Sequence, residues 1–439
     1  MGLLPSERSE LKRSYVRILF ASEYYFPSVG GVQEVIRQIA MRFVERGHQV
    51  TVATTYLPER KSREINGVAT SEFKVTGNLV RGMSGEVDAY RDYVLTGEYD
   101  LFMVKAAQQW TFDALIPILG RMKKPKIFVP CGFSGLYEPA FAEYYRRMPE
   151  LLRLFDHLIF YASDYRDINL ARQHGLTHFT VVPNGASERE FLVPRDPGFR
   201  RRYGIPENAF VVLTVGNLSG LKGHRELAEA FCKARFRSDV PAVLILNGNV
   251  PGQHAVRRGP VSILKTKLKD LLLQAGLVGP LKLMGYSVES SLDFWIARIN
   301  RAAPVKRALL VNLPRQELVQ AYFNSDLFVL ASNIEYSPLV LFEAAAAGLP
   351  FLSVPVGNAE EIARWTGAGE ICPAPSDSVG YTRPDPTVLA KHIESLALRG
   401  DDRRAYGEAG TRNWLERFTW QKIADRYEEL FLRVLKEKT

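Results

Sequence analysis

Two glutamates with seven residues between them mark the segment whose residue types best suit chemistry. Glu335 and Glu343 enclose Tyr-Ser-Pro-Leu-Val-Leu-Phe, a segment that follows a short apolar run. Ser337 is a favoured N-cap residue and Pro338 a favoured first helical residue, while Gly348 favours the end of a helix. The segment therefore predicts a short helix, over about residues 338 to 347, that begins at the loop carrying Glu335.

The start of this predicted helix is a candidate anion site. The first N–H groups of a helix have no partner within it and lie at the positive end of its dipole, which suits a pyrophosphate. Glu343 could accept hydrogen bonds from the two hydroxyls of a ribose, and Glu335 from a sugar hydroxyl. The alternative is that Glu335 only complements the dipole and that Glu343 is a solvated helix residue. We assign to the binding of a nucleotide-type ligand the residues Tyr336, Ser337, Pro338, Leu339, Val340 and Glu343.

A second candidate phosphate site is the loop Gly216-Asn-Leu-Ser-Gly-Leu-Lys-Gly223, which is predicted to connect a strand to a helix. The pattern places Lys222 in the first helical turn, where a positive charge costs roughly a few tenths of a kcal/mol. A compensating anion is therefore expected, and Lys222 could neutralise a diphosphate as it leaves. Gly216 and Asn217 would line the same site.

A third candidate element is the pair Gly30-Gly31, which lies between the first predicted strand and its helix. The absence of side chains would let the backbone approach a phosphate closely. The alternative is that the two glycines serve only the packing of the turn.

Hydrophobic periodicity predicts two doubly wound α/β halves that position these three elements. Ligands bind at the carboxyl ends of the strands in such sheets, so the elements are expected to meet in a cleft between the halves. We predict a charged tail over 1–14, a first domain over 15–190, a linker over 191–206, a second domain over 207–417 and a final helix over 418–439. Residues 247–312 are interpreted as a basic insertion of unknown role. Strands are predicted at Val16 to Ala21, Val50 to Ala53, Leu101 to Val104, Ile127 to Val129, Leu158 to Phe160, Phe179 to Val182, Phe210 to Val215, Ala242 to Leu246 and Leu327 to Leu330.

Composition excludes several classes of protein. The chain has 439 residues and a formal net charge of +9. Its hydrophobic fraction of 46% is too high for a disordered protein. Three widely spaced cysteines favour a reducing compartment, and the charged first fifteen residues do not resemble a signal peptide. We therefore predict a cytoplasmic protein. Its basic residues lack the aromatic interleaving of a nucleic-acid surface, and they favour contact with an anionic membrane at its inner face.

Five segments, in this order and spacing, together resemble the family-4 retaining glycosyltransferases. The resemblance covers nearly the whole chain apart from the N-terminal tail and the basic region. The segments are Ser28 to Glu34, Val181 to Gly185, Gly216 to Gly223, Glu335 to Glu343 and Phe418 to Ala424.

The resemblance implies a GT-B fold, a metal-independent site for a nucleoside-diphosphate sugar, and transfer with retention at the anomeric carbon. It makes Lys222 the phosphate-binding lysine, Glu343 the ribose-binding residue and Glu335 the glutamate beside the donor sugar. It also implies that Gly31 touches the phosphate from the first domain, and that the final helix packs back onto that domain. The sequence contains no Asp-x-Asp pair that could bridge a metal to a diphosphate.

Two features depart from the family pattern. Asn217 stands where the family usually has an arginine beside its lysine, although Arg225 could substitute for it. The histidines that many relatives carry in the acceptor pocket are absent. Lys105, Gln108 and Cys131 are the candidate acceptor contacts, with a buried core position as the alternative for Cys131.

The resulting hypothesis is a glycosyltransferase in which Lys222 and Glu335 are catalytic and no cofactor is needed. It would transfer a hexose-type sugar to a glycan, lipid-linked or small-molecule acceptor, in the synthesis of cell-surface polysaccharide or glycolipid. One alternative is a non-catalytic protein that binds nucleotide sugars. Another is a different GT-B enzyme, such as a phosphorylase or a sugar-nucleotide epimerase.

Overall fold

A computed structural model describes residues 15–248 and 291–438 of the chain. The predicted tail over 1–14 and residues 249–290 of the predicted basic insertion lie outside the described residues. The first half of the chain forms an eight-stranded sheet in the order β10-β9-β8-β7-β1-β2-β4-β3, which is parallel except for the β3–β4 pair. The strands of this half, including the separate β5–β6 hairpin, are β1 Arg17–Ala21, β2 Gln49–Thr55, β3 Glu64–Ile65, β4 Val68–Phe73, β5 Val75–Asn78, β6 Gly82–Gly85, β7 Leu101–Lys105, β8 Lys126–Val129, β9 His157–Phe160 and β10 Phe179–Val181.

The helices of the first half cover both faces of this sheet. Apolar residues of its strands contribute to two separate buried clusters, as expected for a parallel sheet enclosed on both sides. Two short 3₁₀ segments, Ile116–Arg121 and Pro139–Phe141, accompany the helices. The helices are α1 Gly31–Glu45, α2 Val87–Thr96, α3 Trp110–Asp113, α4 Ala142–Leu152 and α5 Arg166–Gln173.

The second half restarts the same pattern with a six-stranded parallel sheet in the order β13-β12-β11-β14-β15-β16. Its strands are β11 Phe210–Val215, β12 Ala242–Asn247, β13 Lys306–Val311, β14 Leu327–Leu330, β15 Phe351–Ser353 and β16 Gly369–Ile371. Its helices are α8 His224–Lys233, α9 Leu292–Asn300, α10 Arg315–Phe323, α11 Leu339–Ala346, α12 Ala359–Thr366, α13 Pro386–Leu398 and α14 Gly400–Arg417. All nine strands predicted from periodicity are present in the two sheets. The interpretation of residues 247–312 as an insertion is wrong for residues 291–312, because α9 contributes to the core of the second half and β13 pairs with β12 in its sheet.

Two connections join the halves. The stretch of linker composition contains a helical turn, α7 Phe199–Arg202, and follows another, α6 Glu188–Phe191. Phe191, Phe199 and Ile205 are buried in the core of the second half. The last helix, α15 Trp420–Lys438, returns to the first half and packs beside α1 and β1, where the family resemblance places it. Among the helices of the described residues, none combines the length and the apolar composition needed to cross a bilayer.

Candidate active site

Lys222 and Glu335 form an ion pair at the edge of the second sheet. Their loops follow β11 and β14, which are neighbouring parallel strands, so the two loops leave the sheet side by side. The Lys222 Nζ atom lies 2.7 Å from Oε1 of Glu335. Both side chains are only partly exposed, at 26% and 17%. The fold thus brings together the two residues that sequence analysis assigned to catalysis.

The local position of Lys222 differs from the prediction. Helix α8 begins at His224, and Gly223 occupies its N-cap position with φ 69°, so Lys222 precedes the helix and does not belong to its first turn. A Cβ atom on Gly223 would lie 1.8 Å from the Ala331 carbonyl oxygen, and this close approach requires glycine. Glu335 is the anion that offsets the lysine charge in this structure.

The start of α11 also differs in detail from the prediction. Pro338, with ψ 113°, occupies the N-cap position, and no side chain caps the helix. Because this extended residue delays the helix by one position, Ser337 does not act as the N-cap. Its hydroxyl is buried and has no hydrogen-bond partner among the described residues. The first turn, with Leu339 and Val340, therefore presents N–H groups that no side chain satisfies.

The two halves meet at the N-termini of α1 and α11. A Cβ atom on Gly31 would be 3.9 Å from Cδ1 of Leu339, an ordinary contact, so packing alone does not require glycine there. Gly30 has an extended backbone, with φ 177°, which any residue can adopt. A side chain on Gly30 would displace only the flexible end of Gln33. The packing alternative therefore does not explain why two glycines begin α1.

The remaining loop residues lie as follows. A Cβ atom on Gly216 would be 3.1 Å from Cβ of Lys222, so this glycine lets the lysine fold back against β11. Asn217 is exposed in the same loop. Arg225, the suggested substitute for the family's arginine, pairs with Glu226 at 3.1 Å and with Glu229 at 3.0 Å on its own helix.

Glu343 is buried, at 8% exposure, so its interpretation as a solvated helix residue is wrong. Its Oε1 accepts a hydrogen bond from Arg315 at 2.6 Å, and its Oε2 accepts one from the Tyr322 hydroxyl at 2.9 Å. Arg315 also pairs with Glu190 at 2.8 Å. The sequence did not predict these partners. Arg315 follows β13, a strand that lies in the region interpreted as an insertion, so no sequence signal placed Arg315 near Glu343.

The three candidate acceptor residues lie at the carboxyl ends of β7 and β8. Lys105 is 1% exposed and donates from Nζ to the Tyr161 hydroxyl at 2.6 Å, so its amine points inward and is not presented to an acceptor. Gln108 accepts hydrogen bonds from the Ser134 hydroxyl and the Gly135 N–H. Cys131 is partly buried and packs against the core of the first half, and this burial raises the pKa of its thiol to about 11.

The loops after β7 and β8 also contain non-glycine residues with left-handed backbone conformations. Ala106, Gln108, Cys131 and Phe133 all have positive φ, between 50° and 72°. Left-handed non-glycine residues cost free energy and collect at functional sites. Their concentration in two adjacent loops marks this edge as part of the candidate site, and sequence patterns do not reveal it.

Two carboxyl groups missed by sequence analysis lie near the same edge. Glu23 follows β1, and burial, reinforced by the nearby charge of Asp113, raises its pKa to about 7. Asp113 is buried and accepts hydrogen bonds from the Tyr144 hydroxyl at 2.7 Å and the Leu79 N–H at 2.9 Å. Burial raises the pKa of Asp113 to about 6. Isolated acidic residues far apart in sequence gave no pattern that could have predicted this proximity.

Replacing Lys105 with methionine should change how stability depends on pH. Burial lowers the pKa of Lys105 from 10.5 to about 8, so between these values the unfolded chain binds the proton more tightly than the folded one. Wild-type stability should therefore rise with pH relative to Lys105→Met, by at most about 1.4 kcal/mol per pH unit. Urea denaturation of both proteins at pH 7, 8, 9 and 10 measures this difference. A difference independent of pH would show that the amine keeps its ordinary pKa.

Comparisons with known proteins agree with the fold. Residues 29–189 match the model of Glycosyltransferase Family 4, and residues 305–413 match that of Glycosyl transferases group 1. N-acetyl-alpha-D-glucosaminyl L-malate synthase of Bacillus anthracis is 24% identical over 94% of this chain and 96% of its own length. D-inositol 3-phosphate glycosyltransferase of Geodermatophilus obscurus is 27% identical, over 56% of this chain and 45% of its own length.

Solved structures share the architecture at low sequence identity. Sucrose-phosphate synthase from Thermosynechococcus elongatus superimposes with a TM-score of 0.68 at 16% identity, over 96% of this chain and 100% of that one. The Anabaena protein HepE, solved in complex with UDP and glucose, gives a TM-score of 0.65 at 17% identity, over 95% of this chain and 100% of that one. One family match lies in each half of the chain, and both solved structures share the fold of the two halves. The chain therefore belongs to the family-4, group 1 glycosyltransferases, which have the GT-B fold.

Proposed function

We propose that this protein is a retaining, metal-independent glycosyltransferase that uses a nucleoside-diphosphate hexose as donor. The Lys222–Glu335 ion pair, beside the facing N-termini of α1 and α11, is the observation that carries this proposal. The acceptor would be a hydroxyl of a glycan, a lipid-linked sugar or a small molecule, in polysaccharide or glycolipid synthesis. The protein would act in the cytoplasm, and its net charge of +9 favours peripheral contact with anionic lipid.

In this proposal the donor diphosphate lies between Lys222, the first turn of α11 and the backbone of Gly31. Phosphate oxygens would replace Glu335 as the partner of Lys222. The Glu335 carboxylate would then be free to accept a hydrogen bond from the donor sugar. Glu343 would bind the ribose, sharing its oxygens with Arg315 and Tyr322.

The reaction would replace one bond to the anomeric carbon by another on the same face. The bond from this carbon to the phosphate oxygen breaks, and the acceptor oxygen bonds to the carbon. The acceptor proton passes to the leaving diphosphate, whose growing negative charge is stabilised by Lys222 and the helix N–H groups. Because these groups are already in place, little reorganisation is needed as charge develops.

Acceptor-dependent release of nucleoside diphosphate tests the proposal. Thermal shifts with UDP-, GDP- and ADP-sugars first identify the donor, since a ligand at 100 times its dissociation constant stabilises by about 2.7 kcal/mol. We expect nucleotide release to require a hydroxyl acceptor and to yield a product of retained anomeric configuration by NMR. Donor binding without transfer would indicate a non-catalytic binding protein. Transfer to inorganic phosphate would indicate a phosphorylase, and conversion of the donor to an epimeric sugar would indicate an epimerase.

The same assay in excess EDTA tests metal independence. Activity should persist, because Lys222 and the N–H groups at the start of α11 are proposed to stabilise the leaving diphosphate without a cation. Complete loss of activity that manganese or magnesium restores would contradict this part of the proposal.

A further inference from the structure

The ring of Tyr336 lies between the two halves of the protein. Tyr336 directly follows Glu335 in the second half, but its ring packs against two tyrosines of the first half. The centroid of the Tyr336 ring lies 5.5 Å from that of Tyr161, in a stacked arrangement, and 5.1 Å from that of Tyr165. A Cβ atom on Gly132 would lie 2.6 Å from Cγ of Tyr336, and Gly132 has φ 86°. Gly132 thus leaves room for the ring, and we call this set of first-half residues the tyrosine seat: Gly132, Tyr161, Tyr165 and Asp167.

Polar contacts fix the same segment to the first half, residue by residue. The Tyr165 hydroxyl donates to the Glu335 carbonyl oxygen at 2.7 Å. The Tyr161 N–H donates to the Tyr336 hydroxyl at 2.8 Å. Asn184 donates from Nδ2 to the Ser337 carbonyl oxygen at 3.1 Å. Three consecutive residues of the second half therefore each have a hydrogen bond from the first half.

The tyrosine seat is itself well supported. Asp167 is buried and accepts a hydrogen bond from the Gly132 N–H at 2.8 Å. The Tyr161 hydroxyl accepts from the buried Lys105 amine. From the second half, Asn358 donates to the Tyr161 carbonyl oxygen at 3.0 Å and its N–H donates to the Tyr336 carbonyl oxygen at 2.8 Å. The contact therefore has a defined geometry on both sides.

The sequence predicts a donor contact for Tyr336, whereas the contacts of its ring in the structure are with the first half. The ring is partly buried against side chains of the first half, and its hydroxyl accepts a hydrogen bond from the Tyr161 N–H and interacts with Asp167. Glu335, one residue earlier, is the partner of Lys222. The conformation of the Glu335 loop therefore depends on how Tyr336 sits in the first half.

We propose that Tyr336 is a positioning residue that holds Glu335 in register with Lys222 by anchoring its loop in the tyrosine seat. This proposal rests on the proposed glycosyltransferase function. Catalytic groups displaced by about 1 Å can lose about 10²-fold in rate. Loss of the ring should therefore lower kcat, whereas affinity for the nucleoside diphosphate, which is proposed to come from Lys222, Glu343 and the start of α11, should change little.

The test compares Tyr336→Ala, Tyr336→Phe and the control Tyr406→Phe with the wild-type enzyme. Tyr406 lies on α14 and donates to Glu370 at 2.8 Å, outside the tyrosine seat. We expect kcat to fall about 100-fold in Tyr336→Ala and about 5- to 10-fold in Tyr336→Phe, which keeps the ring but loses the contacts of its hydroxyl with Tyr161 and Asp167. The dissociation constant for the nucleoside diphosphate, from calorimetry, should stay within about threefold for both. The control should match wild type.

Each other outcome has a distinct meaning. A folded Tyr336→Ala protein with kcat within about threefold of wild type would overturn the proposal. A parallel loss of kcat and of nucleotide affinity would also overturn it, and would make Tyr336 a donor contact. If Tyr336→Ala does not fold, Tyr336→Phe decides, and an unchanged kcat there contradicts the positioning role. A wild-type enzyme that binds donor without transfer would instead reject the proposed function, and the positioning role with it.

Discussion

Replacing Lys222 with alanine should lower turnover by about 10²- to 10³-fold, with the fold intact. The reason is the loss of a preorganised positive charge at the leaving diphosphate, an effect of about 3 to 4 kcal/mol on the transition state. The structure strengthens this expectation, because Lys222 is already held at the carboxyl edge of β11 by its pair with Glu335. Steady-state kcat with saturating donor and acceptor measures the effect.

A matched control comes from the following helix. Lys233 on α8 pairs with Glu229 at 2.8 Å and is 41% exposed, so Lys233→Ala removes the same side chain outside the site. Its turnover should stay within about twofold of wild type. If Lys222→Ala also remained within about threefold, Lys222 would not contact the leaving group and the donor site would have to be reassigned.

The pairing also predicts how two substitutions combine. Lys222→Ala leaves the Glu335 carboxylate partly buried and unpaired, and Glu335→Gln removes that charge. If the two residues act as one unit, the double variant should lose less activity than the product of the two single losses. Multiplicative losses would show that the contact between them has no influence on the rate.

Replacing Glu343 with glutamine should weaken binding of the free nucleoside diphosphate and of the intact donor to a similar degree. The expected loss is about 1 to 3 kcal/mol for each ligand, the cost of a hydrogen bond to a charged group. The losses should be similar because ribose is common to both ligands. Glutamine keeps one acceptor oxygen but loses the charge-assisted part of the bond, so Glu343→Ala should weaken binding further. Isothermal titration calorimetry with both ligands measures the two losses.

The buried network around Glu343 requires a structural control. Glu343→Ala would also remove the acceptor for Arg315 and for the Tyr322 hydroxyl, so it should lower stability by about 1.5 to 3 kcal/mol. Glu190→Gln weakens the ion pair between Arg315 and residue 190 and leaves Glu343 unchanged. Nucleotide affinity should therefore be close to wild type in Glu190→Gln.

Two outcomes would change the assignment of Glu343. A loss confined to the intact donor would place its carboxylate at the sugar. No loss for either ligand in Glu343→Gln would mean that the residue serves only the network with Arg315 and Tyr322. The second outcome is a specific alternative because both carboxylate oxygens already accept hydrogen bonds, from Arg315 and from Tyr322.

The sequence alone determined the parts of this protein that depend on neighbours along the chain. Apolar runs such as Phe210 to Val215 predicted strands because a parallel strand covered on both faces needs a continuous apolar stretch. Helices such as α1 followed from periodicity, and the order of strands and helices predicted two doubly wound sheets. Since parallel sheets present their loops at one edge, the order of elements also indicated that Lys222 and Glu335 would lie close together.

Tertiary structure decided the direction and the partners of each side chain. The sequence predicted ligand contacts for Lys105 and Tyr336. In the structure the Lys105 amine is buried against Tyr161, and the Tyr336 ring lies in the tyrosine seat. Glu343 and Arg315 are 28 residues apart, and their contact depends on how β13 and β14 are arranged around β11 and β12. Such contacts join segments that are distant along the chain, so they depend on the packing of whole elements, which local propensity and periodicity do not encode.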